Sequence, residues 1–179
     1  FTMKNEGINL KVTGTDIVDK VTYLSTGRVE VLERDPNLVV NSILPLIQSL
    51  LKGDTTYKGI QYWAVGTGAS SWDSSLPDPT LTEVKLTSEL GRKAVTTSNI
   101  KYLTPESTES PTPTNIIEVT CTFEANECNG SWREFALFGG NATTSTNSGA
   151  MLNKKHHALL TKTTDMVVER KIRLALSFA

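Results

Sequence analysis

The chain has 179 residues, 38% of them hydrophobic, which is enough to bury the core of one domain. Eighteen Lys and Arg against nineteen Asp and Glu leave a net charge of −1, so there is no electrostatic footprint for nucleic acid. No run approaches the roughly 18 apolar residues that a membrane helix needs, and no apolar signal segment lies near Met3.

Thr occurs 25 times, and Gly, Ser and Asn punctuate the chain at short intervals. β-branched residues suit pleated, half-buried surfaces, so the composition predicts a mainly β domain. Residues 1–30 carry weakly alternating runs, Ile8 to Val12 and Val21 to Leu24, and read as an N-terminal arm or extra strands outside a single domain over 31–179. Arg28 to Glu33 is a clearer strand. Asn41 or Ser42 caps a helix near 42–52, whose apolar stripe is Ile43, Leu44, Ile47, Leu50 and Leu51. Pro45 falls in its first turn and Gly53 ends it.

Ile60 to Val65 reads as a strand ending at Gly66-Thr67-Gly68. Residues 69–80 are rich in Ser, Pro and Asp and predict a loop. Thr80 to Leu90 is a short helix or irregular, and Arg92 to Tyr102 reads as one strand. Thr104 to Asn115 is a loop with three prolines. Ile116 to Glu124 alternates cleanly, with Ile117, Val119, Cys121 and Phe123 facing inward. The turn at Asn129-Gly130 leads into a strand that sets Trp132, Glu134, Ala136 and Phe138 on one face. Asn141 to Ala150 is a second polar loop. Met151 to Leu160 is a strand, and Met166 to Phe178 closes the chain with an apolar face that Arg170 interrupts. Strands at hairpin spacing with one helix predict an antiparallel β-sandwich or a barrel-like closure.

The motifs give little chemistry. Gly66-Thr67-Gly68 is half of a dinucleotide fingerprint, but Ser71 stands where the third Gly belongs, and no βαβ unit surrounds it. His156 and His157 are adjacent on a strand and point to opposite faces, so they do not chelate together. Cys121 and Cys128 lack Cys-x-x-Cys spacing and a nearby His, which argues against zinc. Asp73 and Asp78 read as solvated loop charges without a partner base or acid. Gly-x-Ser-x-Gly is absent. No enzyme activity, metal or cofactor is expected.

Glu134 is the charge that demands explanation, because a carboxylate beside Trp132 and Phe138 needs a partner. Trp72, in a loop between Ser71 and Asp73, and the basic run Lys154, Lys155, His156 and His157 form a candidate interaction surface.

Several segments occur in a telling order: Asn37-Leu38-Val39-Val40-Asn41 before the helix, Trp63-Ala64-Val65-Gly66-Thr67-Gly68, Leu90-Gly91-Arg92-Lys93, Trp132 to Phe138, Leu160-Thr161-Lys162, and the alternating C-terminal strand. Over residues 30–179 the chain resembles small structural proteins of bacteriophage and prophage tail modules, encoded near baseplate and tail-fibre genes. It departs from that pattern at Trp132, where a smaller aliphatic is usual, and at Ala136, where Gly is usual.

The resemblance implies a non-enzymatic virion subunit, made in the bacterial host cytoplasm and carried in the tail. Its implied partners are itself, as a homo-oligomer for which a trimer is one arrangement, and other tail or baseplate proteins, with no nucleic acid and no membrane. The pattern's recurring charges map onto Arg92, Glu134 and Lys162 as a structural ion network, in which Arg92, with its planar, bidentate donors, is the implied partner of Glu134. Two rival readings are a capsid decoration protein and a receptor- or carbohydrate-binding module. The latter would use Trp63, Trp72, Tyr62 and Tyr102 as an aromatic platform. The arm 1–30 and the two polar loops are expected to order on partners in the particle.

Overall fold

The computed structural model describes residues 10–34 and 36–178. Twelve strands, one α-helix and two short 3-10 turns make up this part of the chain. The strands are β1 (Leu10–Tyr23), β2 (Val29–Arg34), β3 (Leu38–Val39), β4 (Lys58–Gly66), β5 (Glu89–Ala94), β6 (Ile100–Leu103), β7 (Glu109–Ser110), β8 (Ile116–Phe123), β9 (Gly130–Gly140), β10 (Ala150–Met151), β11 (Asn153–Lys162) and β12 (Met166–Phe178). The helix, α1, spans Ile43–Lys52. They form two antiparallel sheets, one ordered β2-β1-β12-β8-β6-β7 and the other β3-β11-β9-β4-β5, with β10 paired to β9. The two sheets stay separate among the described residues, so the fold is a mainly β, antiparallel sandwich and not a barrel.

The period-2 pattern of β8 and β12 explains the core. Val119, Cys121 and Phe123 alternate inward, as do Met166, Val168, Ile172 and Leu174, and all are buried with Ile17 and Val21 of β1. Trp63 and Val65 of β4 and Trp132, Phe135 and Leu137 of β9 face them from the other sheet. Phe123 meets Trp132 edge-on at 5.0 Å between ring centroids.

Of the two readings of residues 1–30, arm or extra strands, the described part is strand. β1 is a 14-residue strand that pairs with β12 on one side and β2 on the other, and it buries Ile17 and Val21. The single domain therefore begins at least at Leu10, and residues 1–9 of the expected arm lie outside the described residues. Arg92 to Tyr102 is likewise not one strand. The chain leaves the β5 sheet after Ala94, makes a 3-10 turn at Thr97–Asn99, and enters the other sheet as β6.

The strand β9 also departs from simple alternation. Trp132 and Phe135 both enter the main core, whereas Ala136 and Phe138 join a second cluster with Ala64, Leu86 and Met151 on the far side of the sheet. The facing strand β11 shifts register between His156 and Leu160. A bulge of this kind re-aims side chains, so Trp132 does not share a face with Glu134, Ala136 and Phe138.

Gly53 ends α1 with φ 75°, and its N–H and that of Asp54 donate to Leu50 O and Ser49 O. Ser42 does not cap the helix through its side chain. Its Oγ donates to Met151 O instead. Only Ile43 and Leu46 of the helix are buried, and Leu44, Leu50 and Leu51 of the expected stripe are exposed. Between α1 and the open end of the sandwich lies an apolar cleft of about 550 Å³.

Candidate functional site

The outer face of the β3-β11-β9-β4-β5 sheet carries the charges that the sequence singles out. A largely irregular segment, residues 67–88, with a 3-10 turn at Ser70–Asp73, crosses this face as a strap. Leu86 is its apolar anchor, fully buried with Ala64, Ala136 and Phe138. A strap without regular structure must find partners for its backbone, and buried side chains provide them.

Glu134 is completely buried and lies at the centre of this arrangement. Its Oε2 accepts the Thr87 N–H at 3.0 Å, and its Oε1 accepts the Ser88 N–H at 2.8 Å. Its compensating cation is Lys154, 3.3 Å away, not Arg92. Lys154 Nζ also donates to Glu83 Oε1 at 3.0 Å, and to Lys85 O and Thr87 Oγ1 at 3.3 Å each. Burial opposes ionisation of Glu83, yet the Thr80 N–H and Lys154 hold its carboxyl below the usual range. Gly66 makes this approach feasible. A Cβ there would stand 2.7 Å from both Glu134 and Ser88 O.

Arg92 belongs to a neighbouring group. Its Nε and Nη2 grip Glu89 at 2.6 and 2.8 Å, and its guanidinium lies 4.6 Å from the Phe138 ring centroid. Its Nη1 donates to Thr143 O at 2.9 Å and Ser148 O at 3.2 Å. Glu89 accepts the Asn147 N–H, and Asn147 Oδ1 accepts the Leu86 N–H at 2.8 Å. The pair thus pins the 141–149 loop and ties it to the strap. Lys162 serves a third loop, donating to Glu124 O at 2.7 Å, Ala125 O at 3.3 Å and Asn129 Oδ1 at 2.8 Å. Burial lowers its pKa. Arg92, Glu134 and Lys162 therefore anchor three different segments and do not pair with one another.

The expected surface at Trp72 and residues 154–157 is corrected more sharply. Lys154, His156 and His157 are buried. Lys154 and His156 point under the strap. His156 stacks on Trp72, with 4.1 Å between ring centroids, and its Nδ1 lies 2.8 Å from Pro77 O. Its Nε2 is buried without a partner among the described residues, so burial, reinforced by the charge of Lys154, depresses its pKa. Lys155 is half-buried and donates to Pro36 O at 3.3 Å.

His157 points the other way, into the core. Its Nδ1 lies 2.7 Å from Ala158 O and its Nε2 lies 3.0 Å from Arg170 Nη2. A proton on Nδ1 satisfies the carbonyl and leaves Nε2 to accept from Arg170. The two imidazoles face opposite sides, as strand geometry requires.

Two further ion pairs, not foreseen from the sequence, tie the strap and the core. Arg133 grips Asp73 through Nε and Nη2, both at 2.7 Å, and donates from Nη1 to Thr67 O at 3.0 Å. Asp73 is thus a paired anchor of the strap, and the hydrogen bond from Arg133 holds its carboxyl below the usual range. Arg170 and Asp19 form a fully buried pair at 2.8 and 3.0 Å. The guanidinium of Arg170 sits between Trp132 and Phe135, 4.9 and 4.5 Å from their ring centroids. The interruption of the last strand's apolar face by Arg170 was the available signal. Its partner Asp19 lies in β1, in the segment that reads as an arm or extra strands.

The aromatic platform does not assemble. Trp63 is fully buried in the main core, Trp72 stacks on His156, and Tyr62 and Tyr102 lie on different sheets. Cys121 and Cys128 are both free thiols, and Cys121 is a core residue whose burial pushes its pKa to about 12. Among the described residues, no group of three or more His, Cys, Asp or Glu could hold a metal ion, and no helix is long and apolar enough to cross a membrane. Fold and site together define an antiparallel β-sandwich in which Arg92, Glu134 and Lys162 anchor irregular segments, while the buried Arg170–Asp19 pair joins two strands. Comparison of the chain with family models, curated proteins and solved structures finds no match.

Proposed function

We propose that this chain is a non-enzymatic structural protein of a phage tail, a baseplate or tail-fibre-associated subunit that acts by protein–protein assembly. The observation that carries the reading is the use made of Arg92, Glu134 and Lys162. Each is spent on holding an irregular segment to the sandwich through backbone groups. Such anchoring presents loops in one fixed conformation, which lowers the ordering entropy lost on docking. Exposed leucines on α1 add an apolar surface of the kind that partner proteins cover.

The test is direct. Antibodies raised against the folded protein should decorate one defined position on purified tails in negative-stain micrographs. The protein should also be recovered at fixed stoichiometry from those tails by mass spectrometry. Its absence from purified particles would overturn the reading.

A further inference from the structure

The strap is held to the sheet in two different ways. Its second half is pinned by the apolar anchor Leu86 and by the bonds that Glu134 and Lys154 make to residues 83–88. Its first half is seated more lightly. Residues 73–78 are exposed, and no residue of 69–79 joins either core cluster. Arg133 holds Asp73. The other two seats are the Trp72 ring and Pro77 O, and both end on His156.

His156 is buried. Its Nδ1 proton goes to Pro77 O, which leaves Nε2 a bare acceptor in the protein interior, without a partner among the described residues. Charges approach the ring from three elements. Lys154 lies on its own strand, Glu134 stands opposite on β9, and Glu83 comes down from the strap. Arg133 of β9 and Asp73 of the strap, next to Trp72, are bound to each other. Lys154 engages Glu83 and Glu134 at 3.0 and 3.3 Å, and neither carboxylate bonds a ring nitrogen. The Trp72 face tolerates a cation. A second proton on the ring would nevertheless set an N–H at Nε2 with nothing to receive it, in the field of the Lys154 ammonium. Lifting the cover and admitting water removes that cost.

From this cluster we infer that residues 69–79 form an acid-released flap with His156 as its latch. The neutral imidazole holds the flap down, and the imidazolium lets it rise while the second half of the strap stays pinned. Rising frees the Trp72 ring and bares Arg133 and a charged His156 on neighbouring strands, a basic surface that the protein does not offer at neutral pH. The switch belongs to the isolated chain, whatever it assembles with. With the flap open the ring has its ordinary value of 6.5, and with the flap seated burial depresses it. The seated state is therefore fully favoured above 6.5. It loses ground as pH falls from there towards the depressed value, by up to about tenfold in the open-to-seated ratio per pH unit.

Native-state hydrogen exchange of the full chain, followed by NMR from about pH 7.5 to 5.5 and corrected for intrinsic rates, tests it. That range lies above the titration of Asp73 and Glu83, whose carboxyls are held below the usual values. The amides of Trp72, Ser74 and Ser75 donate to Ala69 O and Ser71 O within the flap's own turn. A turn of four residues does not persist unaided, so these amides are protected while the flap is seated. They should exchange far faster than β8, and their protection should fall by up to about tenfold per pH unit below 6.5. In His156→Phe, which keeps a ring against Trp72 and takes up no proton, protection should not vary with pH.

The His156 ring titration in the wild type, read from the same pH series, needs no variant. A midpoint below 6.5 is expected, and one at or above it overturns the inference. Flap amides that exchange only at the β8 rate also overturn it, because the flap then opens only with the whole fold. So does a wild-type protection that ignores pH, or a pH dependence that survives in His156→Phe.

Discussion

Replacing Glu134 with Ala should destabilise the protein by about 3 kcal/mol, the lower end of the range for breaking a buried ion pair. The lower end applies because Lys154 is not left alone. It keeps Glu83 at 3.0 Å together with Lys85 O and Thr87 Oγ1. The N–H groups of Thr87 and Ser88 lose their shared acceptor, and the strap over the sheet loosens. For a chain of this length the change corresponds to a fall in melting temperature of roughly 6–12 °C, at about 2–4 °C per kcal/mol. Hydrogen exchange at Thr87 and Ser88 should accelerate in parallel. In a double-mutant cycle, Lys154→Ala should cost much less in the Glu134→Ala background than in the wild type, since the two share one interaction. A melting temperature within experimental error of the wild type, or strict additivity with Lys154→Ala, would refute the assignment of Glu134 as the clamp of the strap.

Gly66→Ala should mimic part of that loss, because its Cβ would stand 2.7 Å from Glu134 and from Ser88 O; thermal melting checks it, and an unchanged melting temperature would contradict the close packing. Deleting residues 10–23 should abolish cooperative unfolding, since β1 buries Ile17 and Val21 and pairs with two strands. A truncated protein that still melts sharply would show that β1 is dispensable. The thiol of Cys121, with its pKa pushed to about 12, should resist iodoacetamide at neutral pH until the chain is unfolded, and mass spectrometry of the modified peptides reads the outcome. Stability should fall in two stages as pH drops. His156 has a folded pKa below its ordinary 6.5, so its contribution is full above that value and is lost below it as the unfolded chain takes up protons. Glu83 and Glu127, held below 4.5, bring the second loss under that pH. Urea titrations at several pH values would show a single acid-side loss if His156 were solvated.

The alternation of Ile117, Val119, Cys121 and Phe123 was legible because β8 obeys one period from end to end. The run from Arg92 to Tyr102 was not, because β-forming residues continue through the point where the chain changes sheets and local propensity carries no sign of that crossing. Glu134 announced itself as a buried carboxylate, but its partner could not be read. Register sets His156 opposite Glu134 and brings Lys154 beside it, and register depends on the bulge that flips β9 after Trp132. Charge usually means exposure, so the basic run 154–157 reads as surface. Here the strap covers the sheet's outer face and hides Lys154 and His156 beneath it.

The charges at Glu134, Arg92 and Lys162 gain a common explanation from what they hold. A buried ion pair adds little net stability compared with an apolar replacement, so its retention points to specificity, a hypothesis that the charges facing the strap and loops make concrete. Glu134 fixes the strap by two backbone N–H groups, Arg92 fixes the 141–149 loop by backbone carbonyls, and Lys162 fixes the 124–129 turn in the same way. Apolar anchors alone, such as Leu86, hold a segment close but tolerate sliding. Directional bonds to main-chain atoms do not. A sandwich that supports long irregular segments in this manner separates two tasks: the sheets supply stability through their alternating cores, and the charges decide which single loop conformation the surface offers to a partner.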